Sequence, residues 1–406
     1  MDGLKKGPIA ESHELPYQTL PTVPVGKPFR LLSGVTVVDV TNSIAGPYAT
    51  MLLSDLGAEV IKVERPEGDE TRAWGPPFLE GQSLWFTSVN RNKKSVVIDI
   101  QTAEGLADLR HLVRKAGVFV TNMPVNVQRK VNLDYEALRA ERDDLVFVSI
   151  TGFGLSGPRA HLRCYDLIAE GYSGIMDITG EEDSWPQKIG APAADMLAGH
   201  DAAMAVCAAL FERKTSGKGH KIDVSLVESM TRLLTCRITP YLGSGEVPRR
   251  SGGSDSVIAI YRAFATADKP INLALGSELI WTRFWQVVGD PEYGGRPEFS
   301  SNAKRRVVRD KLVERIQTLL KARTRDVWLE LFEAAGVPAG PIYSVDEVTA
   351  DGPLRDRGLF FALQDETGRT VPQVGLGIHI DGECSVPHSA PPRLGEHTAE
   401  FLHKPK

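Results

Sequence analysis

Asp195, in the stretch GAPAADMLAGH at 190–200, is the residue of this chain best placed by its surroundings to do chemistry. Pro192 disfavours helical geometry in the residue before it, so the approach is extended. Ala198, Gly199, Ala202, Ala203, Ala205, Ala208 and Ala209 follow and predict a tightly packed helix. A carboxylate in the first turn of that helix meets unpaired N–H groups and the positive end of the macrodipole, which predicts an ionised side chain. An ionised carboxylate at a fixed position is a candidate nucleophile. The competing reading is an N-cap that only starts a buried helix.

Basic residues form the second set. Arg65 closes the first strand-helix-strand unit, and Arg91, Lys93 and Lys94 precede the next strand. Arg129 and Lys130 follow the loop TNMPVN, and Arg163 lies near Asp166. A guanidinium grips phosphate bidentately and an ammonium acts as a point charge, so together they are candidates to line a cleft for a phosphorylated ligand. Any one of them also fits a solvated surface.

The elements that must carry these residues alternate. A strand at 35–40, the loop TNSIAG, a helix at 47–56 and a strand at 59–63 make one βαβ unit. Pro47 suits the first helical turn and Gly57 the left-handed helix end. Strand 96–100, helix 103–115 and strand 118–120 repeat the pattern, and 145–150 and 221–224 read as further strands. Alternation of this kind predicts a Rossmann-like α/β domain with a mostly parallel sheet and ligands at the strands' carboxyl ends. Residues 1–30 read as an extended N-terminal arm, 31–235 as the first part of the large α/β domain, and 236–256, rich in Gly, Ser and Pro, as a linker. A smaller α+β domain is expected at 257–339, with a loop-rich return at 340–406 completing the large one.

Composition narrows the classes. The 406 residues carry 42% hydrophobic and 24% charged side chains and a net charge of -5, ordinary for a globular protein and unsuited to nucleic acid as the main partner. The four cysteines, Cys164, Cys207, Cys236 and Cys384, lack metal-ligand spacing, no histidine pair has zincin spacing, and a reduced, cytoplasmic setting with no metal is expected. No apolar run reads as a membrane span, and the N-terminus has no signal-peptide core. GFGLSG at 152–157 follows a strand, but Pro158, Arg159 and Ala160 come next where a dinucleotide fingerprint needs a helix. TSGKGH follows a helix rather than a strand and holds Gly219 where a P-loop needs Ser or Thr.

Several long segments, in order, resemble the class III CoA-transferases, the family of formyl-CoA and crotonobetainyl-CoA transferases. They are GVTVVDVTNSIAGPYATMLLSDLGAEVIKVERPEGD at 34–69, NRNKKSVVIDI at 90–100, SITGFGLSGP at 149–158, DMLAG at 195–199, TSGKGHKIDVSLVES at 215–229, AAGVPAGPI at 334–342 and RLGEHT at 393–398. The resemblance implies Asp195 as the catalytic aspartate and CoA contacts at Ala45, Arg65, Ile98, Asn122, Met123 and Arg163, with Arg129 or Lys130 as a further basic contact. It implies that the aspartate attacks a donor thioester to give a mixed anhydride. A carboxylic acid is released, CoA thiolate forms an aspartyl-CoA thioester, and an acceptor carboxylate reverses the sequence. Coenzyme A enters as acyl-CoA substrate, with succinyl-CoA a family-based expectation. The partners implied are acyl-CoA, a small carboxylic acid and a second copy in an interlocked homodimer, or a paralogous subunit in a heteromer. The family's glycine-rich active-site loop is not reproduced, and SGGSDS at 251–256 is the candidate in its place. The α-methylacyl-CoA racemases share the fold but use a histidine where this chain has Tyr165. Tyr48, Trp74, Tyr165, Tyr172 and Tyr241 are candidates to shape an acyl pocket.

Overall fold

A computed structural model describes residues 15–255 and 257–402. The numbered strands in chain order begin with β1 (Thr22–Pro24), β2 (Thr36–Asp39), β3 (Glu59–Glu64), β4 (Lys93–Val97), β5 (Val118–Thr121), β6 (Val146–Thr151) and β7 (Lys221–Ser225). Those from β2 to β7 form one sheet in the order β4-β3-β2-β5-β6-β7, with every neighbouring pair parallel. Numbered from the first strand in the sheet, that is the order 3-2-1-4-5-6 of a doubly wound α/β fold, and the order reverses between β2 and β5. Val37, Val38, Phe119, Phe147 and Val148 are wholly buried, as strands covered on both faces require.

Helices cross between the strands. α1 (Ala45–Asp55) joins β2 to β3, α2 (Ala103–Lys115) joins β4 to β5, and α3 (Val125–Lys130) and α4 (Tyr135–Glu141) lie between β5 and β6. Gly57 ends α1 with φ +103, and a Cβ there would lie 2.1 Å from the Phe29 carbonyl oxygen, so only glycine fits. After β6 come α5 (Asp166–Ser173), the 24-residue α6 (Ala193–Ser216) and, beyond β7, α7 (Leu226–Leu233). α6 is the one helix among the described residues long and apolar enough to cross a membrane, which corrects the reading that no such run exists. Its apolarity comes from small residues packed inward: Ala194, Ala198, Gly199, Ala202, Ala203 and Ala209 are buried. One face of the helix is therefore packed into the large unit, while Met204 and Phe211 on it stay exposed.

Two compact units emerge. The larger comprises residues 1–173, 190–235 and 349–406, of which 15–173, 190–235 and 349–402 are described. The smaller comprises 174–189 and 236–348. Within the latter, α8 (Thr235–Ser244, its first residue in the larger unit) occupies much of the span expected to be a linker, carrying Pro240 inside the helix. β8 (Tyr261–Phe264), β9 (Ile271–Ala274) and β10 (Ala339–Pro341) form an antiparallel sheet in that order. It packs with α9 (Glu278–Val287), α10 (Asn302–Val307), α11 (Arg309–Leu320) and α12 (Arg325–Ala335) around Trp281, Phe284, Trp285, Phe299 and Phe332. Because β10 pairs with β9, residues 340–348 belong to this unit rather than to the return segment.

The return is more regular than its composition predicts. β11 (Phe360–Gln364) and β12 (Thr370–Val374) pair antiparallel, and β1 adds to β11 in parallel, burying Phe361 and Leu363 against Val23 and Val25. The N-terminal stretch therefore contributes a strand within 1–30, and the rest of that arm up to residue 14 lies outside the described residues.

Candidate functional site

The crevice outside the carboxyl ends of β2, β3, β4 and β5 gathers several of the residues singled out above. Its walls are Val40, Val63, Ile98, Ile100 and Met123, and its polar rim includes Asn42 and Arg65. The Arg65 side chain is 58% exposed; its Nε donates to the Gly68 carbonyl at 3.0 Å, leaving the rest of the guanidinium outward. Asn122 stands across the topological switch point. Its Oδ1 accepts from the Asn42 N–H at 3.2 Å and its Nδ2 donates to the Asn42 carbonyl at 2.8 Å, tying the ends of β5 and β2 together. Arg65, Ile98 and Met123 thus share one cleft, with Asn122 fixing its edge.

Beneath that cleft lies a buried charge network. Asp39 Oδ1 accepts from the Thr41 N–H at 2.9 Å, its Oδ2 accepts from the Thr50 hydroxyl at 2.6 Å, and Lys93 Nζ lies 3.2 Å away. Lys93 Nζ also donates to the Pro47 carbonyl and Asn90 Oδ1, three acceptors for the three donors of an ammonium. Lys62 donates to the Thr41 carbonyl at 2.9 Å and pairs with Asp69 at 2.8 Å, while Asp69 accepts from the Ser43 N–H at 3.3 Å. The loop 41–44, in which Ser43 has φ +66, is held from below by this network. Burial alone would raise the Asp39 carboxyl, but Lys93, Lys62 and the hydroxyls of Thr41 and Thr50 outweigh it and hold it at about 2. On Lys93 the balance goes the other way: burial, against the attraction of Asp39, pulls the ammonium down to about 7, and its three acceptors favour the charged form below that.

The basic residues separate into two groups. Arg91 is buried and pairs with Asp55 at 2.6 Å, Lys93 belongs to the network, and Lys94 pairs with Glu59 and Glu400. These three are structural cations and not rim residues, a correction to the reading that they help line the cleft. Arg129 is exposed and lines a different depression, with Tyr135, Leu155 and Lys221. Lys130 and Arg163 are exposed with no ion pair among the described residues.

Ala45 is the first residue of α1 and is buried where α1 packs on α6. The fit there depends on Gly199: a Cβ would lie 2.7 Å from the Ala45 carbonyl oxygen and 2.9 Å from Tyr48 Cδ1. Asp195 precedes Gly199 by one helical turn and so lies on the same face of α6. Pro192, at the cap position of α6, offers no side-chain acceptor. Asp166 Oδ1 fills that role, accepting the N–H of Ala194 at 2.8 Å and of Asp195 at 3.3 Å. The Asp195 carboxylate itself accepts no hydrogen bond from a described residue. Burial, and then the neighbouring Asp166 charge, push it up to about 7. The expectation of a firmly ionised side chain is therefore corrected: the helix donors that would have held it low are already engaged by Asp166. Cys164, close by, is pushed up to about 11 by burial and by the Asp195 and Asp166 charges, so it stays a thiol. Tyr165 is 65% exposed.

Asp166 is the residue the sequence reading passed over, though its position at the start of a helix was the available signal. Asn42, Asp39 and Lys62 were missed too, since a lysine inside a strand gives no sign of the carboxylates it meets.

The family model described as CoA-transferase family III matches residues 32–398. The chain belongs to that family. This CoA-transferase is 40% identical over 380 residues to a succinate–glutarate CoA-transferase of Agrobacterium fabrum, covering 91% of this chain and 94% of that protein. It is 36% identical to a mouse succinyl-CoA:glutarate CoA-transferase, covering 91% and 85% of the two chains. A CAIB/BAIF family protein from Brucella suis, solved by crystallography, superposes with TM-score 0.83 at 37% identity over 91% of this chain and 98% of that one. A family III CoA-transferase uses CoA thioesters, so the acyl-CoA and carboxylate partners follow from membership.

Proposed function

We propose that this CoA-transferase moves CoA from succinyl-CoA to a second carboxylate, a dicarboxylate such as glutarate, through covalent intermediates on Asp195. The observation that carries the reading is the Asp195 carboxylate at the start of α6, with no hydrogen bond from a described residue and pushed up to about 7. The relatives named for succinate, succinyl-CoA and glutarate support the substrates. Near neutral pH such a group is ionised in part and is a stronger nucleophile than an ordinary carboxylate. Its oxygen attacks the thioester carbonyl, CoA thiolate leaves, and an aspartyl–succinyl anhydride remains. The thiolate then attacks the aspartyl carbonyl, releasing succinate and leaving an aspartyl-CoA thioester. The acceptor carboxylate attacks that thioester, and the returning thiolate takes the acceptor's acyl carbon and frees Asp195. Holding CoA throughout makes each return effectively intramolecular.

On this reading Ile98, Met123 and Asn122 hold CoA at the switch-point cleft, Ala45 contacts it at the start of α1, Arg163 is a further contact, and Arg65 with Arg129 or Lys130 meets its charged end. The working form is an interlocked homodimer. Exposed apolar side chains on α6, Phe211 at 76% and Met204 at 63%, support a partner surface. A folded monomer at low concentration in sedimentation would overturn it. The four free cysteines support a reducing, cytoplasmic setting, to be checked by fractionation.

The decisive experiment substitutes Asp195→Asn, which preserves shape and removes the nucleophilic oxygen. Turnover falls by roughly four or more orders of magnitude, about 5 kcal/mol of barrier, with CoA binding retained. Hydroxylamine after incubation with succinyl-CoA marks the Asp195 peptide in the wild type only. A fully active Asn variant without an adduct would return Asp195 to a helix-starting role.

A further inference from the structure

Two carboxylates share the start of α6, and only one of them is used by the mechanism above. Asp166 opens α5, twenty-nine positions before Asp195, yet its Oδ1 lies on the N–H groups of Ala194 and Asp195 at 2.8 and 3.3 Å. Four N–H groups stand open at any helix start, and here Pro192 supplies no cap of its own. Without Asp166, the carboxylate that those donors would draw in is Asp195, which sits in the first turn.

We propose that Asp166 is a positioning residue for Asp195: it occupies the α6 donors so that the nucleophile stays unbonded, and its charge favours every neutral derivative of Asp195 over the free carboxylate. The inference rests on Asp195 as nucleophile and adds to it. A carboxylate that accepts helix N–H bonds gives up electron density to them and is a weak nucleophile. One that faces a like charge at close range is destabilised in its free form. Forming the anhydride removes the Asp195 charge and sends it off on the thiolate, so the repulsion is relieved as the new C–O bond forms.

The other groups around α6 do not supply an alternative. Cys164 is a neutral thiol, held up by burial first and then by the same two carboxylates. From α1, Tyr48 packs edge-on to His200 of α6, with ring centroids 5.8 Å apart. Asp201, beside His200 on α6, is engaged by Ser229 at 2.7 Å and by Arg232, both from α7. Glu170, on α5, is wholly buried and has polar contacts of its own. No cation pairs with Asp166 or Asp195 among the described residues.

The test uses the full-length enzyme with succinyl-CoA and glutarate, and reads kcat and KM across pH. Asp166→Asn keeps an oxygen that accepts the two N–H bonds and removes the charge. The acid limb of kcat/KM is expected to move to lower pH, with kcat reduced about 10-fold or more and KM for the CoA donor unchanged. Asp166→Ser, a second neutral cap, moves the limb the same way, and Asp166→Glu, which keeps the charge, leaves it in place. Asp166→Ala loses cap and charge and lowers both kcat and the melting temperature. An acid limb unmoved in both Asn and Ser variants, with kcat near wild type, overturns the proposal and leaves Asp166 a structural cap. Hydroxylamine trapping on the wild type separates this failure from that of the nucleophile: an adduct on the Asp195 peptide with an unmoved limb rejects only the role of Asp166, whereas no adduct rejects both.

Discussion

Asp39 and Asp195 are both carboxylates of the larger unit removed from water, and they come out at opposite ends of the scale. Asp39 is wholly buried and is held down to about 2, while Asp195 is less buried and rises to about 7. Burial raises both. Asp39 meets two ammonium groups and two hydroxyls that exceed the cost, whereas Asp195 meets only another carboxylate and a thiol. The lesson is that depth alone does not set the charge state. A fully compensated carboxylate fixes a loop, and the uncompensated one is the proposed nucleophile.

The largest effect expected from this contrast is on the compensated side. Lys93→Met strips Asp39 of a counter-charge while keeping the bulk, and in urea melts at about pH 6, below the value of about 7 to which burial pulls the Lys93 ammonium, should destabilise the fold by about 3–5 kcal/mol, the range for breaking a buried pair. Asp39→Asn combined with Lys93→Met should recover part of that loss, because no charge is then left alone. A single variant within experimental error of wild type would mean that Asp39 is not held by its counter-charge, and the contrast with Asp195 would disappear.

Next in size is the rim above the same network. Arg65→Ala should weaken CoA binding by about 1.5–3 kcal/mol, as loss of a charge-assisted hydrogen bond does, with an unchanged melting temperature because the side chain is mostly exposed. Calorimetric titration with CoA reads it. Lys94→Ala serves as the control: its partners are Glu59 and Glu400, so it should leave CoA affinity alone.

These two kinds of cation could not be told apart from sequence. Arg65 and Lys94 both flank strands, and only the fold shows that one is turned outward and the other met by glutamates 35 positions before it and 306 positions after. The alternation of strands and helices was legible because period and turn residues are local, as Pro47 and Gly57 illustrate. The Asp195 helix was legible for the same reason. Its charge state was not, since that depends on Asp166 arriving from another helix. Loop-like composition also misled at 340–402, where β11 and β12 are stabilised by pairing with each other and with β1, a partner over 300 residues away.

Packing at the reactive end is the next test. Gly199→Ala places a methyl 2.7 Å from the Ala45 carbonyl oxygen, so α1 and α6 must part. Overpacking of this kind costs about 1–3 kcal/mol. Because Asp195 lies one turn away on the same face, turnover should fall along with stability, whereas Ala205→Gly, an ordinary helix weakening of about 1 kcal/mol, should lower stability and leave turnover near wild type. Equal activities in the two variants would detach Asp195 from the α1–α6 contact.

The smallest expected effect is the one most specific to the uncompensated carboxylate. Asp195 titrates at about 7 in the folded chain against 3.8 for an ordinary aspartate. Between those two pH values the unfolded chain has released the proton and the folded chain has kept it, so this residue lowers stability as pH rises and the whole penalty is present above about pH 7. Asp195→Asn removes the charge, and should therefore raise stability by on the order of 1 kcal/mol at about pH 8, with no gain below about pH 4. Asp39→Asn should do the reverse, costing stability above about pH 4 and ceasing to matter as the wild type is protonated toward pH 2. Paired thermal melts across pH read both curves. Opposite slopes sustain the distinction between a carboxylate that holds the fold and one that strains it. Parallel slopes would show that Asp195, too, is compensated, and the contrast with Asp39 would disappear.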